Sequence, residues 1–285
     1  MNLIEAMQTE YGRCKSWLYR YALPINVVAV CLSIASVFNL PTNAAISLAI
    51  IVFVAQAAIF VMKELLAAPH EERAEKIRRL AMLQNGLGEE PSPNTLAKLK
   101  EQIGECNSSE PPYIGEYYTS QEQVGYRRLL DITSESAFYT ASSAGRLSRA
   151  LFWLGGLGTF LVFVLLYIVL SAFSQLPIAP GHGALIQSVA KMSLVIFAAV
   201  GLGQITSAAL SFRGLALSAA AINDQCETAL SSSVSKKALT TQALIAFTEY
   251  NSAVSKAAPI PSFVYRWNLK NVDAAWKLRR ESPTA

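Results

Sequence analysis

The sequence predicts an all-α, polytopic membrane protein: two transmembrane helical hairpins, four spans in all, joined and flanked by helical cytoplasmic segments. Three observations lead there. First, four apolar stretches cover Ala22–Leu40, Ala44–Met62, Leu151–Phe173 and Ile186–Phe212, grouped as two close pairs. The first three contain no Asp, Glu, Lys or Arg, and the fourth holds only Lys191 near its start. About 20 apolar residues in a helix match the ~30 Å hydrocarbon core of a bilayer. Soluble helices rarely sustain that length without a charged face. Second, 52% of the 285 residues are hydrophobic and 15% charged, against about 25% charged in a soluble domain. Third, Lys and Arg gather at one end of every span.

That third observation sets the orientation, because cytoplasmic loops carry the excess of Lys and Arg. The first inter-span turn, Pro41-Thr42-Asn43, has no charge, and the second, about Ser174 to Gln187, has only His182. Arg13, Lys15 and Arg20 precede the first span. Lys63, Arg73, Lys76, Arg78 and Arg79 follow the second, Arg146 and Arg149 precede the third, and the tail after the fourth is basic from Arg213 to Arg280. Both turns are therefore predicted outside and every long segment inside. The expected organisation is a cytoplasmic N-terminal segment over 1–21, a first hairpin over 22–62 and a cytoplasmic helical segment over 63–150. A second hairpin follows over 151–212, then a cytoplasmic helix with a basic, aromatic tail over 213–285. The first span is long and follows a charged segment, so it reads as a signal-anchor rather than a cleaved leader.

The central segment is predicted helical in pieces. Ala74, Ile77, Leu80 and Ala81 fall at helical spacing over Glu71–Leu83, with Gly86 and Gly88 closing the helix. Ser92-Pro93 pairs an N-cap with a proline at the first helical position, and Gly104 can end that short helix. A polar loop over Glu105–Glu116 follows. Thr119 and Glu122 then have the form of a capping box, opening a helix through Tyr126, Leu129, Leu130 and Phe138 into the third span. The fourth span is expected to continue as an Ala-rich helix to about Val254, where Pro259 and Pro261 break it. The two halves share a layout, and each second span carries one glutamine, Gln56 and Gln204. That pattern fits an internal duplication in parallel orientation.

Catalysis finds little support. The two histidines, His70 and His182, offer no triad or metal cluster. Gly86-Leu87-Gly88 lacks a third glycine and follows a helix, not a strand, so no dinucleotide fingerprint exists. Glu71-Glu72 and Glu89-Glu90 are neighbours that do not face one another on a helix. No carboxylate lies inside a span, which argues against a proton relay. The four cysteines are scattered, with Cys31 inside the first span, so neither a disulfide framework nor a zinc site is expected. The net charge of +4 does not suggest a nucleic-acid partner. The chain is expected to be no enzyme and to need no cofactor or metal.

The spans carry the candidate site. Gly201, Gln204, Ser207 and Ser211 recur three to four residues apart, a small-and-polar stripe of the kind that lets helices approach and share hydrogen bonds. Gln56 also needs a partner in lipid. These five residues read either as intra-chain packing or as the lining of an oligomeric pore. Gly155, Gly156 and Gly158 read as packing notches. At the C-terminus, Arg266, Trp267, Trp276, Arg279 and Arg280 interleave base and aromatic. They form a candidate lipid-interface segment, or else a basic tail that merely follows the inside rule.

Three stretches carry a likeness: Ala74-Glu75-Lys76-Ile77-Arg78-Arg79-Leu80; Tyr126-Arg127-Arg128-Leu129-Leu130 with Glu135-Ser136-Ala137-Phe138-Tyr139; and Ala258-Pro259-Ile260-Pro261 with Tyr265-Arg266 and Trp276. With the four-span layout, they resemble the SMODS-associated four-transmembrane effectors of bacterial nucleotide-signalling conflict systems. The resemblance implies an inner-membrane protein that forms pores or disrupts the membrane in antiviral defence. Its implied partners are the lipid bilayer, further copies of itself, and a nucleotide second messenger or nucleotide-signalling protein. Two other classes stay open: a non-conducting anchored adaptor that presents cytoplasmic helices to a partner, and a small-solute transporter.

Overall fold

The computed structural model describes residues 2–35, 41–104, 117–174, 182–233 and 235–281. The end of the first apolar stretch at 36–40, the loop at 105–116 and most of the second turn lie outside these residues. All regular structure among them is helical: α1 (Leu3–Lys15), α2 (Leu23–Ala35), α3 (Thr42–Val61), α4 (Ala68–Leu87), α5 (Pro93–Ile103), α6 (Tyr126–Ser174), α7 (His182–Ser231), α8 (Lys236–Val254) and α9 (Ser262–Glu281). Four helical runs are long and apolar enough to cross a membrane, as predicted: Leu3–Ala35, Asn43–Leu87, Tyr126–Val169 and Ser188–Ser231.

Two joints make the first two runs continuous. A π-helical segment, Ser16–Ala22, links α1 to α2, and another, Met62–Ala67, links α3 to α4. Each lies just before a helix-interior proline, Pro24 or Pro69. A proline ring collides with the carbonyl four residues earlier, here Arg20 and Leu65, both inside the widened segments. The wider turn moves those carbonyls aside while the helix continues.

The chain divides into two compact units. The span unit comprises Ser16–Ala67 and Arg149–Leu210. Its interior is small and aliphatic: Val30, Val162, Val169, Val195, Ala198 and Leu202 form one cluster, and Ala29, Val52 and Leu194 another. Its outer surface carries Ile50, Phe53, Phe60, Leu157, Phe160 and Phe163, all exposed. In water such a surface would be a liability; against acyl chains it is the surface a span needs. A side-chain carbon on Gly158 would collide with Leu202, and one on Gly155 would lie 2.8 Å from Thr206 Oγ1. Both are the expected notches. Gly156, in contrast, faces open space.

The polar unit comprises Met1–Lys15, Ala68–Ser148 and Ser211–Ala285. α1 packs along α4, burying Leu3, Met7, Ile77 and Ala81 with Leu99 and Ile103 of α5. A second cluster joins Met82, Leu130, Ile132, Ala219, Ile222, Ala243 and Tyr250. Ser92 caps α5 as predicted, accepting the Thr95 amide at 3.2 Å, and Gly88 and Gly104 take the positive φ their positions require. Gly86 is not a terminator but a close approach, where an added carbon would lie 2.9 Å from the Leu129 backbone.

Two expectations are corrected. The helix following the fourth span does not run unbroken to Val254: it stops at Ser231 and restarts as α8. The serine run is the cause, since serine side chains compete for backbone groups and favour caps; Ser235 Oγ accepts the Ala238 amide at 3.3 Å. The capping box at Thr119 and Glu122 does not form either, because α6 starts at Tyr126. The Thr119 hydroxyl instead donates to Glu135 Oε1 at 2.8 Å, with its amide donating to Oε2 at 3.0 Å.

Candidate intramembrane polar site

Within the span unit the polar side chains find one another. Gln56 sits on α3, and Lys63 lies two helical turns further on the same run, which places both on one face. The Lys63 ammonium donates to Gln204 Oε1 at 3.2 Å. Gln204 Nε2 donates to Gln56 Oε1 at 3.4 Å, and Gln56 Nε2 donates to Asn26 Oδ1 at 3.1 Å. Asn26 Nδ2 donates to the Gly201 carbonyl at 3.4 Å. Every bond in this chain points the same way, from a cation through three amides to a backbone carbonyl. An amide has both an acceptor and donors, so each one passes the polarity on.

The close approach of α2 to α7 depends on Gly201. A carbon added there would lie 2.6 Å from Val30 Cγ2 and 2.8 Å from Asn26 Oδ1. Of the stripe read from the sequence, Gly201 and Gln204 therefore belong to the site together with Gln56. Ser207 is exposed, and the Ser211 hydroxyl donates to the Lys256 carbonyl at 3.1 Å within the polar unit. The two serines thus stand apart from the run of amides. Sequence reasoning missed Asn26 and Lys63. Asn26 could have been flagged as an amide inside a span. The Lys and Arg pattern marks Lys63 as a span-boundary charge seven residues after Gln56, and the long stem of a lysine lets its ammonium reach a polar partner away from its own backbone.

Such a chain can hold helices in register, and it can present a cation and amide dipoles to a passing ion. The span pair α3 and α7 also carries an apolar hollow of about 510 Å³ between Ile50, Phe53, Val189 and Phe197. Its lining is almost wholly hydrocarbon and adds no chemistry.

The polar unit holds the remaining buried charge. Glu10 is fully buried and accepts Arg73 Nε and Arg13 Nη1, each at 2.7 Å, with His70 Nδ1 2.9 Å away. Burial raises its carboxyl pKa, but the hydrogen bonds and charges of His70 and Arg73 outweigh that and hold it below the usual carboxylate value. Arg78 pairs with Glu75 at 2.6 Å, and its guanidinium lies 4.9 Å from the centre of the Tyr250 ring. Glu75 also accepts the Tyr11 hydroxyl. The stretches behind the resemblance are thus largely internal. Arg78, Glu75 and Ala137 are buried, Ser136 offers its carbonyl to Tyr250, and Phe138 and Tyr139 pack on Trp276.

The C-terminal candidates separate by face. Trp276 is buried, with its indole N–H donating to Thr119 Oγ1 at 3.4 Å. Arg279 pairs with Glu227, and Arg280 with Asp131 Oδ2 at 2.7 Å. Trp276 thus lies in the unit's interior, while Arg279 and Arg280 are partly exposed and paired with carboxylates. Arg266 and Trp267 point outward. Compared with protein-family models, with curated proteins and with solved structures, the chain finds no match in any of the three.

Proposed function

We propose that the chain is a multi-pass protein of the bacterial inner membrane, with two outward-turning hairpins and both termini in the cytoplasm. In this reading it is a channel-like or membrane-disrupting effector of antiviral defence. The polar unit receives a cytoplasmic signal, a nucleotide second messenger or a protein that produces or senses one. The spans of several copies then rearrange to permeabilise the bilayer. The observation that carries the proposal is the run of Gln204, Gln56 and Asn26 among the apolar helices, with Lys63 at its end. Polar groups inside a membrane are expensive and mark ion or substrate paths. The distribution of Lys and Arg supports the orientation, and the likeness to the SMODS-associated effectors supports the role.

A second reading, a non-conducting anchor for the polar unit, is favoured by one fact: the amides satisfy one another within a single chain. Membrane potential decides between the two. With the signalling partners from its own genomic neighbourhood co-expressed, induction of the wild-type chain is expected to depolarise cells, and Gln204→Leu or Gln56→Leu to abolish this. Unchanged potential, or a Gln204→Leu chain as active as wild type, would sink the pore. Full function after exchanging all four spans for unrelated apolar helices would establish the anchor instead.

A further inference from the structure

Helix α9 has two unlike faces. Its inward face carries Val264, Val272 and Trp276, with Arg279 and Arg280 tied to Glu227 and Asp131. Its outward face carries Phe263, Trp267 and Leu278, exposed to 59%, 83% and 66%. Positions 263, 267, 270, 274 and 278 follow one another at helical spacing. Lys270 lies within that strip and Arg266 and Lys277 flank it, all exposed. Large aromatic and aliphatic groups with cations beside them are the composition of a helix lying in a membrane interface. A water-facing helix has no use for an indole this bare.

The start of α9 is held within the polar unit by residues that adjoin the span unit in sequence. Lys15, the last residue of α1, donates to Ser262 Oγ at 3.0 Å, and its ammonium lies 6.0 Å from the Tyr265 ring centre. The span unit begins at the next residue, Ser16. Ser211, the first residue after the span unit's last segment, holds the Lys256 carbonyl just upstream of α9. The first turn of α9 and the residues just upstream are thus tied, within the polar unit, to Lys15 and Ser211, the residues that adjoin the span unit in sequence.

From this we infer that the outer face of α9 docks on the anionic headgroup surface of the bilayer that the spans cross. Phe263, Trp267 and Leu278 enter the interface, and Arg266, Lys270 and Lys277 meet lipid phosphates. Each cation near such a surface favours docking by about fivefold. Trp267 reports it directly. The full chain is reconstituted in nanodiscs of phosphatidylcholine, with or without phosphatidylglycerol, some of the lipid brominated near the headgroup. The Trp267 signal is the difference between wild type and Trp267→Phe.

In anionic discs this signal is expected to be blue-shifted and quenched by brominated lipid. Quenching should fall at raised salt and fall about fivefold in docked ratio for each of Arg266→Gln, Lys270→Gln and Lys277→Gln. An emission like that of water-exposed indole, unquenched in anionic discs, would overturn the inference. So would equal quenching in neutral and anionic discs, or quenching that survives the triple substitution.

Discussion

At the scale of single residues, the environment of a side chain decides more than its type. Gly201 and Gly203 lie two positions apart on α7, yet only Gly201 faces the crossing with α2. Gly201→Ala is expected to cost about 1–3 kcal/mol by overpacking. Gly203→Ala, which meets open space, should be neutral to slightly favourable, since alanine is the better helix former by up to about 1 kcal/mol. Thermal unfolding of the detergent-purified pair would check this. Glu71 gives a pH signature in the polar unit. Burial pushes its carboxyl up to about 7, and the Glu75 charge adds to the shift. Below the unfolded carboxylate value both states are protonated and the residue is neutral in stability. As pH rises towards 7 the unfolded chain ionises first, so folding loses stability progressively, and the loss is complete above 7. Glu71→Gln should therefore raise the melting temperature at pH 8 and leave it unchanged at pH 4.

At the scale of elements, caps and breaks explain what the apolar pattern alone did not. The spacing that predicts a span continues smoothly past Ser231, because alanine-rich sequence supports helix on both sides. Only the serines signal a stop, and their signal lies in backbone competition, not in hydropathy. Ser235→Ala removes the acceptor for the Ala238 amide and should cost about 1 kcal/mol. Faster hydrogen exchange at the start of α8, with α7 unchanged, is the expected result. The missing capping box at Thr119 has a tertiary cause: Glu135, Trp276 and Arg280 all reach Thr119, and no local rule could place three distant partners there. The π segments were legible in principle, since Pro24 and Pro69 stand inside otherwise helical runs.

For the whole molecule, the four apolar helices were readable because a bilayer imposes length and excludes charge, two constraints visible residue by residue. The candidate site was half readable. Gln56, Gly201 and Gln204 stand out as polar or small residues in lipid, but their pairing with Asn26 and Lys63 depends on how three helices meet. In the tail, the pairing of Arg279 with Glu227 and of Arg280 with Asp131 was not legible for a related reason: those carboxylates lie far away in sequence.

The single direction of the amide chain bears on how the helices can move. It behaves as a tumbler lock whose pins must all lift together. Sliding α7 past α2 and α3 by one helical turn, about 5.4 Å, breaks three of the four bonds at once and leaves only the one from Gln56 to Asn26, which joins α3 to α2. Those three bonds at about 0.6 kcal/mol each total about 1.8 kcal/mol, a bias of about 20-fold for the engaged register. Thermal motion alone seldom frees a catch of that size, and a modest push on one long helix is enough to spring it.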